Sequence, residues 1–329
     1  MATYKEIKGT QIEAVASDPS NPVEGQVWYN TTSNDLKSLA LTVAGAWATT
    51  GSLNQARNQL ASAGQAARDS SLVFNGFNNP TKYAQTELFN GSAWTELNDL
   101  NAGRAAAWGF GTNTAAITAG GYDGPPGAIA ICESWNGTNW TEVNNMNSPG
   151  YSGGSAGTST AGFAFGGITT PPFGILADTE SWNGTNWTNT SGMNTDRYST
   201  SGTGASNTQA LCFGGSPGQK AVTESWNGSN WTEVNDLNTA RAGVAGAGLY
   251  TAALCIGGDT GSLTGKTETW NGTNWAEDGD LNTARSFLVG SGNSNASAIA
   301  AGGQAPGNSS AAETWVGAGA GVTRTFTDS

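Results

Sequence analysis

The 329-residue sequence contains no histidine, and this absence excludes several kinds of active site. Ser-His-Asp triads, Cys-His nucleophiles, histidine-ligated zinc and imidazole proton shuttles all need that side chain. The chain has only three cysteines, too few for a disulfide framework. Cys212 and Cys255 occupy equivalent places in two apolar runs, LCFGG and LCIGG, which predicts small buried side chains rather than reactive thiols.

Charged residues are scarce, at 12% of the chain, and acidic residues outnumber basic ones 25 to 13. The resulting net charge of −12 repels phosphate backbones and anionic membranes, so we expect no nucleic-acid partner. No apolar run approaches the roughly 18 residues of a membrane helix, so we expect no membrane insertion. The N-terminal MATYKEIKGTQIEAV lacks the apolar core of a secretory signal, which predicts a protein made in a cytoplasm and not secreted.

Glycine (48 residues) and tryptophan (13 residues) are abundant instead, and both belong to an internal repeat. The motif Glu-x-Trp-Asn-Gly-x-x-Trp, in complete or variant form, recurs every 44 to 47 residues. A Gly-Gly pair ends an apolar run in nearly every copy, and an arginine follows the last tryptophan of the preceding copy. The recurring tryptophans are Trp47, Trp94, Trp140, Trp187, Trp231 and Trp275, and the recurring arginines are Arg57, Arg104, Arg197, Arg241 and Arg285, with Gly150 in one copy.

Each period predicts four short antiparallel strands. The third and fourth are joined by Asn-Gly, which favours a type I′ hairpin turn. Four strands in about 45 residues, repeated along the chain, predict an all-β fold, a β-propeller. The spacing makes Trp47 the fourth strand of an additional N-terminal repeat, with residues 28–30 and 36–42 as its second and third strands, and Gly321–Phe326 the fourth strand of the last one. We therefore expect seven four-stranded blades; the alternative is six blades plus an N-terminal attachment module.

The recurring residues are expected to serve the fold, because a residue needed once per blade does not define a single active site. We expect the arginines to donate to carbonyls or to a glutamate of a neighbouring blade. The Asn-x-Ser/Thr matches at Asn136, Asn183, Asn227 and Asn271 begin hairpin turns, and we expect no glycosylation there.

The connections between second and third strands differ from copy to copy, and we expect them on one face with the arginine connections. Variable loops on a rigid repeat scaffold are where function resides. Their aromatic side chains can stack on sugar rings or anchor a protein contact. The predicted ligand or receptor contacts are Tyr83, Tyr122, Asp123, Phe173, Lys220, Asp259 and Lys266.

The Gly-Gly pair, the aromatic residue before the motif's last tryptophan, and the arginine opening the next copy resemble kelch repeats. The period is shorter than the kelch value of about 50, and tryptophan or phenylalanine replaces the usual tyrosine. The first 50 residues, with DPSNPVEGQVWYNTTSNDLK and then GAW, resemble segments of bacteriophage tail-fibre and other virion proteins, particularly those of marine phages. Residues 1–50 are then a virion-attachment segment with first-blade strands, and residues 51–329 the repeats that complete the propeller.

These resemblances imply a non-enzymatic virion structural protein: a tail fibre, appendage or capsid-surface component made in the host cytoplasm and released by lysis. Its partners would be other virion proteins, bound through the N-terminal segment, and a host surface polysaccharide or receptor. We expect no metal or cofactor. We also expect no catalytic residue: a glycosidase needs two carboxylates roughly 5–10 Å apart, and the acidic residues outside the repeat positions lie on different loops. The alternative is a cellular kelch-like adaptor that binds a protein through its loop face.

Overall fold

A computed structural model describes residues 12–20, 26–41, 44–125, 127–318 and 321–326. Within these ranges the regular structure is β-sheet apart from one 3-10 turn, Arg68–Ser70. The all-β class predicted from the repeats is therefore confirmed. No helix in the described residues is long and apolar enough to cross a bilayer.

The chain divides into two compact units. The larger, called the repeat unit, spans Ala46–Val316, and the smaller, called the terminal unit, combines Met1–Gly45 with Gly317–Ser329. The predicted boundary at residue 50 differs from this division by one strand, Ala46–Thr50, which belongs to the repeat unit.

The repeat unit contains six four-stranded antiparallel sheets in a propeller-like arrangement, numbered in chain order. Within each sheet the first, second, third and fourth strands are hydrogen-bonded neighbours in that order. Sheet 1 comprises Ala61–Ser62, Leu72–Phe74, Thr86–Phe89 and Trp94–Glu96; sheet 2 comprises Trp108–Thr112, Ala115–Tyr122, Ala128–Trp135 and Trp140–Val143; sheet 3 comprises Gly154–Thr158, Ala161–Thr169, Gly174–Trp182 and Trp187–Thr190. Sheet 4 comprises Ser201–Ser206, Gln209–Phe213, Thr223–Trp226 and Trp231–Val234; sheet 5 comprises Ala245–Leu249, Ala252–Asp259, Leu263–Trp270 and Trp275–Asp278; sheet 6 comprises Val289–Ser294, Ser297–Ala301, Ala312–Val316 and Ala46–Thr50.

A two-stranded hairpin, Phe77–Asn78 with Thr81–Lys82, lies in the connection between the second and third strands of sheet 1. The terminal unit has its own four-stranded sheet. Its strands are Glu13–Val15, Val27–Asn30, Asp35–Leu41 and Gly321–Phe326, and the first two of these pair in parallel. A seventh blade would take its first strand from Thr3–Val15; within that segment Glu13–Val15 is a strand, and residues 3–11 lie outside the described ranges.

The partners of the two terminal strands differ from the expectation. Trp47 does lie on a fourth strand, but that strand pairs with Ala312–Val316 and not with residues 36–42. Gly321–Phe326 pairs with Asp35–Leu41 and not with the last repeat sheet. The predicted pairing partners of both strands are therefore wrong. Pairing with sheet 6 brings Trp47 to 5.2 Å from Trp315 between ring centroids and buries both indoles.

The apolar cores lie between consecutive sheets, so neighbouring sheets cover each other's apolar faces. Six buried clusters can be distinguished, and each combines side chains from two neighbouring sheets. One of them joins sheet 6 to sheet 1, through Ile299 and Val289 packed with Phe89 and Trp94. Tryptophans of the fourth strands also reach across: the indole of Trp140 donates to Thr86 Oγ1 of the preceding sheet at 2.9 Å.

The Asn-Gly hairpins form a different turn from the predicted type I′. In the turn Asn136–Asn139, only Gly137 has positive φ (+93°). The Asn136 side-chain oxygen accepts the N–H groups of Thr138 and Asn139, both at 2.9 Å. Asparagine therefore occupies the corner before the turn and shapes it through its side chain, so a single glycine suffices.

Candidate functional site

The recurring arginines and glutamates form buried ion pairs inside the sheets. In the five sheets that have the arginine, it reaches the glutamate on the third strand of the same sheet, so the expected glutamate of a neighbouring blade is wrong. The expected donation to backbone carbonyls is confirmed in four of these sheets, for example from Arg104 to the Ile131 carbonyl at 2.8 Å. All five arginine side chains are fully buried. The pairs are Arg57–Glu87 at 3.0 Å, Arg197–Glu224 at 2.8 Å, Arg241–Glu268 at 3.0 Å, Arg285–Glu313 at 3.1 Å, and Arg104–Glu133 in direct contact.

The second oxygen of each glutamate is held by an asparagine three residues before the arginine. In sheet 4, Asn194 donates its backbone N–H at 2.7 Å and its side-chain amide at 2.8 Å to Glu224 Oε2. Sheet 3 has Gly150 in place of arginine, and there the N–H of Ser148 donates to Glu180 Oε1 at 2.9 Å. Each repeated carboxylate is thus already occupied by protein donors and is not presented to a ligand.

The three thiols are buried. Burial raises the pKa of Cys132 and of Cys255 to about 11, against an ordinary value of 9.0. A thiol with so high a pKa stays protonated at neutral pH and is a poor nucleophile or metal ligand. The expected role of Cys212 and Cys255 as small apolar core residues agrees with their positions in the cores between sheets. In the described part of the chain no three Cys, Asp or Glu side chains are grouped as a metal site.

The first strands surround a central cavity with about 130 Å³ of space for water. Its lining carries no charged residue and consists mainly of glycine, alanine and serine. At its mouth, one residue from each sheet has φ between +50° and +65°. These residues are Gln59, Ala106, Ser152, Ser199, Gly243 and Phe287.

The six mouth residues are joined by backbone hydrogen bonds. Each N–H donates to the carbonyl of the mouth residue in the preceding sheet, and the Gln59 N–H donates to Phe287, so the bonds form a complete cycle. Their lengths lie between 2.6 and 2.9 Å. The positive φ recurs in every sheet and serves this cycle. We therefore attribute the strain to the fold and not to a catalytic centre.

The loop face is defined by six pairs of residues that follow the arginine position and the Gly-Gly position of each sheet. The two members of each pair form an isolated antiparallel bridge. Unlike the buried arginines and glutamates, these positions vary in residue type from sheet to sheet. The pairs are Asn58 with Phe77, Ala105 with Tyr122, Tyr151 with Ile168, Tyr198 with Ser216, Ala242 with Asp259, and Ser286 with Gln304.

Aromatic residues occupy one member of the pair in sheets 1 to 4 and neither member in sheets 5 and 6. The Tyr122 and Tyr151 rings are 5.5 Å apart and tilted by 43°. The Lys82 ammonium lies 5.3 Å from the Tyr122 ring centroid and 5.8 Å from that of Phe77. We call Phe77, Lys82, Tyr122 and Tyr151 the aromatic cluster; all four side chains are partly exposed.

Three other predicted contact residues lie outside the cluster, and two of them are adjacent in sequence to its members. Asp123 follows Tyr122 and is exposed. Tyr83 follows Lys82, and its backbone bridges Gly76 to Arg104, so it fixes the sheet 1 loop against the next connection. Phe173 is 65% exposed at the tip of the sheet 3 loop.

The remaining three predicted residues do not join the cluster. Lys220 lies in the sheet 4 loop, and Asp259 ends the second strand of sheet 5, where its carboxylate accepts the Gly261 N–H at 2.6 Å. Lys266 lies within the third strand Leu263–Trp270 and not in a loop. Its ammonium pairs with Glu277 at 2.5 Å on the adjacent fourth strand.

Three aromatic residues of the loop face escaped the sequence interpretation: Phe77, Tyr151 and Tyr198. Tyr198 follows Arg197, Tyr151 follows Gly150 at the arginine position, and Phe77 follows Asn75-Gly76 at the Gly-Gly position. Alignment of these repeat positions is the signal that points to all three. The bridge pairs at the bases of the loops vary in residue type as the loops do.

No known protein family has a model that matches this chain, and no curated protein has significant sequence similarity to it.

Proposed function

We propose that the repeat unit is a closed six-bladed propeller of kelch-like type, the alternative to seven blades that the sequence left open. Three features support closure. The hydrogen bonds between the mouth residues run through all six sheets and return to the first. A buried cluster joins sheet 6 to sheet 1. The strand Ala46–Thr50, from the N-terminal side of the repeat unit, completes its last sheet.

We propose further that this propeller is a non-enzymatic recognition scaffold. The observation that carries the proposal is that the recurring ionisable groups bind one another inside the sheets. Arginine and glutamate form a buried pair in five sheets, and in sheet 3 Glu180 accepts hydrogen bonds from N–H donors. Chemical variety is left to the loop face, where bridge pairs and loops differ from sheet to sheet. Loops held on a rigid scaffold are where binding residues are commonly found.

We propose that the protein is a virion component, such as a tail fibre, appendage or capsid-surface protein of a bacteriophage. The resemblance of the first 50 residues to phage virion segments supports this, and so does the separate terminal unit, which would bind another virion protein. The loop face would then contact a host surface polysaccharide or receptor.

Mass spectrometry of particles purified through two density gradients tests the virion assignment. We expect the chain in stoichiometric ratio to a known capsid protein, together with gold labelling of intact particles by an antibody raised against the repeat unit. Recovery of the chain only in the soluble cell extract would reject the virion assignment and favour the adaptor alternative.

An adsorption assay tests the recognition role separately. Purified protein in micromolar excess should compete with phage for host cells and slow adsorption. A chain present in particles that never slows adsorption would keep its structural role and lose the recognition role.

A further inference from the structure

We propose that the aromatic cluster binds a hexopyranose that carries a carboxylate, such as a uronic acid unit of a surface polysaccharide. The inference rests on the recognition role proposed above and names its ligand class. Three properties of the four side chains define that ligand.

The first property is an extended aromatic surface. Tyr122 from sheet 2 and Tyr151 from sheet 3 make ring contact at 5.5 Å, so each ring holds the other in place. Both residues belong to bridge pairs, so their backbones are fixed before a ligand arrives. A preorganised aromatic surface loses little entropy on binding, and its faces suit the C–H face of a sugar ring.

The second property is free hydrogen-bonding capacity. The hydroxyls of Tyr122 and Tyr151 form no hydrogen bond within the described residues, and neither is a buried atom lacking a partner. They are therefore open to solvent and can donate to or accept from a ligand rich in hydroxyl groups.

The third property is an uncompensated cation. Lys82 forms no salt bridge within the described ranges, although it contacts two aromatic rings. A Cβ on Gly124 would lie 3.5 Å from its Nζ, so the ammonium reaches from the sheet 1 loop to the sheet 2 loop beside Tyr122. The ammonium lies over the Tyr122 ring, so a carboxylate on a sugar packed against the Tyr122–Tyr151 pair would be within reach of this cation.

The charge of the chain limits how many negative groups the ligand can carry. With a net charge of −12, the protein repels densely charged polyanions. One carboxylate per sugar unit fits this field better than several sulfates or phosphates. Asp123, exposed next to Tyr122, adds to the repulsion and sharpens this limit.

Titration calorimetry of the full chain with tetragalacturonate and the glucuronate-containing tetrasaccharide of hyaluronan tests the proposal. Their carboxyl-reduced counterparts, which keep the rings and replace each carboxylate by a hydroxymethyl group, serve as matched probes. We expect at least one acidic tetrasaccharide to bind about tenfold more tightly than its reduced form. Lys82→Gln should abolish that difference, and Tyr122→Ala or Tyr151→Ala should weaken both forms about tenfold or more.

Matched controls are available on the same face. Lys220→Gln removes a loop lysine that contacts no described aromatic ring, and Phe173→Ala removes an exposed aromatic residue outside the cluster; both should bind like the parent. Asp123→Asn should tighten acidic ligands and leave neutral ones unchanged. Circular dichroism and thermal melting establish that each variant is folded.

Several results would overturn the inference. These are no binding of either acidic tetrasaccharide at millimolar concentration, equal binding of the acidic and reduced forms, and equal losses in the cluster and control variants. Adsorption competition that survives enzymatic removal of host polysaccharide would point to a protein receptor and would also overturn it. None of these results bears on the presence of the chain in particles, so failure of this inference is distinguishable from failure of the virion assignment.

Discussion

Neutralising Glu224 should destabilise the repeat unit far more than neutralising Glu180, although the two glutamates occupy the same position in adjacent sheets. Glu224 Oε1 accepts from Arg197 at 2.8 Å, and both side chains are fully buried. Glu180 has no arginine partner and is held by N–H donors of Asn147 and Ser148.

The expected magnitudes follow from these contacts. In both sheets, replacement by glutamine turns one oxygen into an NH₂ group that faces an N–H donor, which costs about 1.5–3 kcal/mol for hydrogen bonds to a charged group. Glu224→Gln also leaves the Arg197 charge buried without its counter-ion, and breaking such a pair costs about 3–5 kcal/mol in total. We therefore expect Glu224→Gln to exceed Glu180→Gln by about 2 kcal/mol. The double variant Arg197→Met with Glu224→Gln should recover part of the loss.

Urea unfolding followed by tryptophan fluorescence measures these differences as changes in the midpoint at constant slope. The fourth-strand indoles are buried in the folded state and report on every sheet. Equal destabilisation by the two single variants, within about 0.5 kcal/mol, would refute the view that the buried arginine needs its carboxylate. If the double variant Arg197→Met with Glu224→Gln were less stable than Glu224→Gln alone, the pairing itself would be refuted.

Three further predictions concern other parts of the chain. The pKa of Asp18 is lowered to about 2 by hydrogen bonds from Asn30, Lys37 and Trp28. The contribution of the Asp18 carboxylate to stability should therefore be complete above its ordinary pKa of 3.8 and should disappear as the pH falls through 2. In NMR, the chemical shift of the Trp28 indole N–H should titrate near pH 2 and not near pH 4. Because burial raises the pKa of Cys132 and Cys255, a thiol reagent at pH 8 should leave the folded protein unlabelled and label it in urea; rapid labelling without urea would contradict their burial. Ala48 and Thr314 lie directly opposite each other in sheet 6, so the double variant Ala48→Cys with Thr314→Cys should form a disulfide under mild oxidation; no cross-link would argue against the pairing of Ala46–Thr50 with the last repeat.

The sequence predicts the recurring parts of the fold well, because a repeat reports the same environment several times. It correctly predicts buried strands at the tryptophans and makes Trp47 a fourth strand. It does not identify the partner of that strand, because spacing indicates a strand's position within its repeat but not which sheet receives it. The partner, Trp315, lies in a degenerate copy at the far end of the chain.

The candidate site is less predictable for a related reason. Tyr122 stands in a visibly variable loop, whereas Tyr151 follows Gly150, so the arginine that would mark its repeat position is missing from the sequence. Their proximity depends on the junction between two sheets, at 5.5 Å between rings, and no pattern within one repeat encodes it. Lys266 was misplaced for the converse reason: the third strand of sheet 5 extends beyond the length that the repeat suggests, and it contains this lysine.

The pairing of Ala46–Thr50 with Ala312–Val316 has a consequence for how the protein is made. A ribosome delivers Ala46–Thr50 before the strands of sheets 1 to 5 and its partner only after them, so sheet 6 cannot be completed until those five sheets have been synthesised. Sheets 1 to 5 can form during elongation, since each draws all its strands from one stretch of chain. Trp47 therefore lacks its partner strand, and its contact with Trp315, until Val316 has emerged from the ribosome.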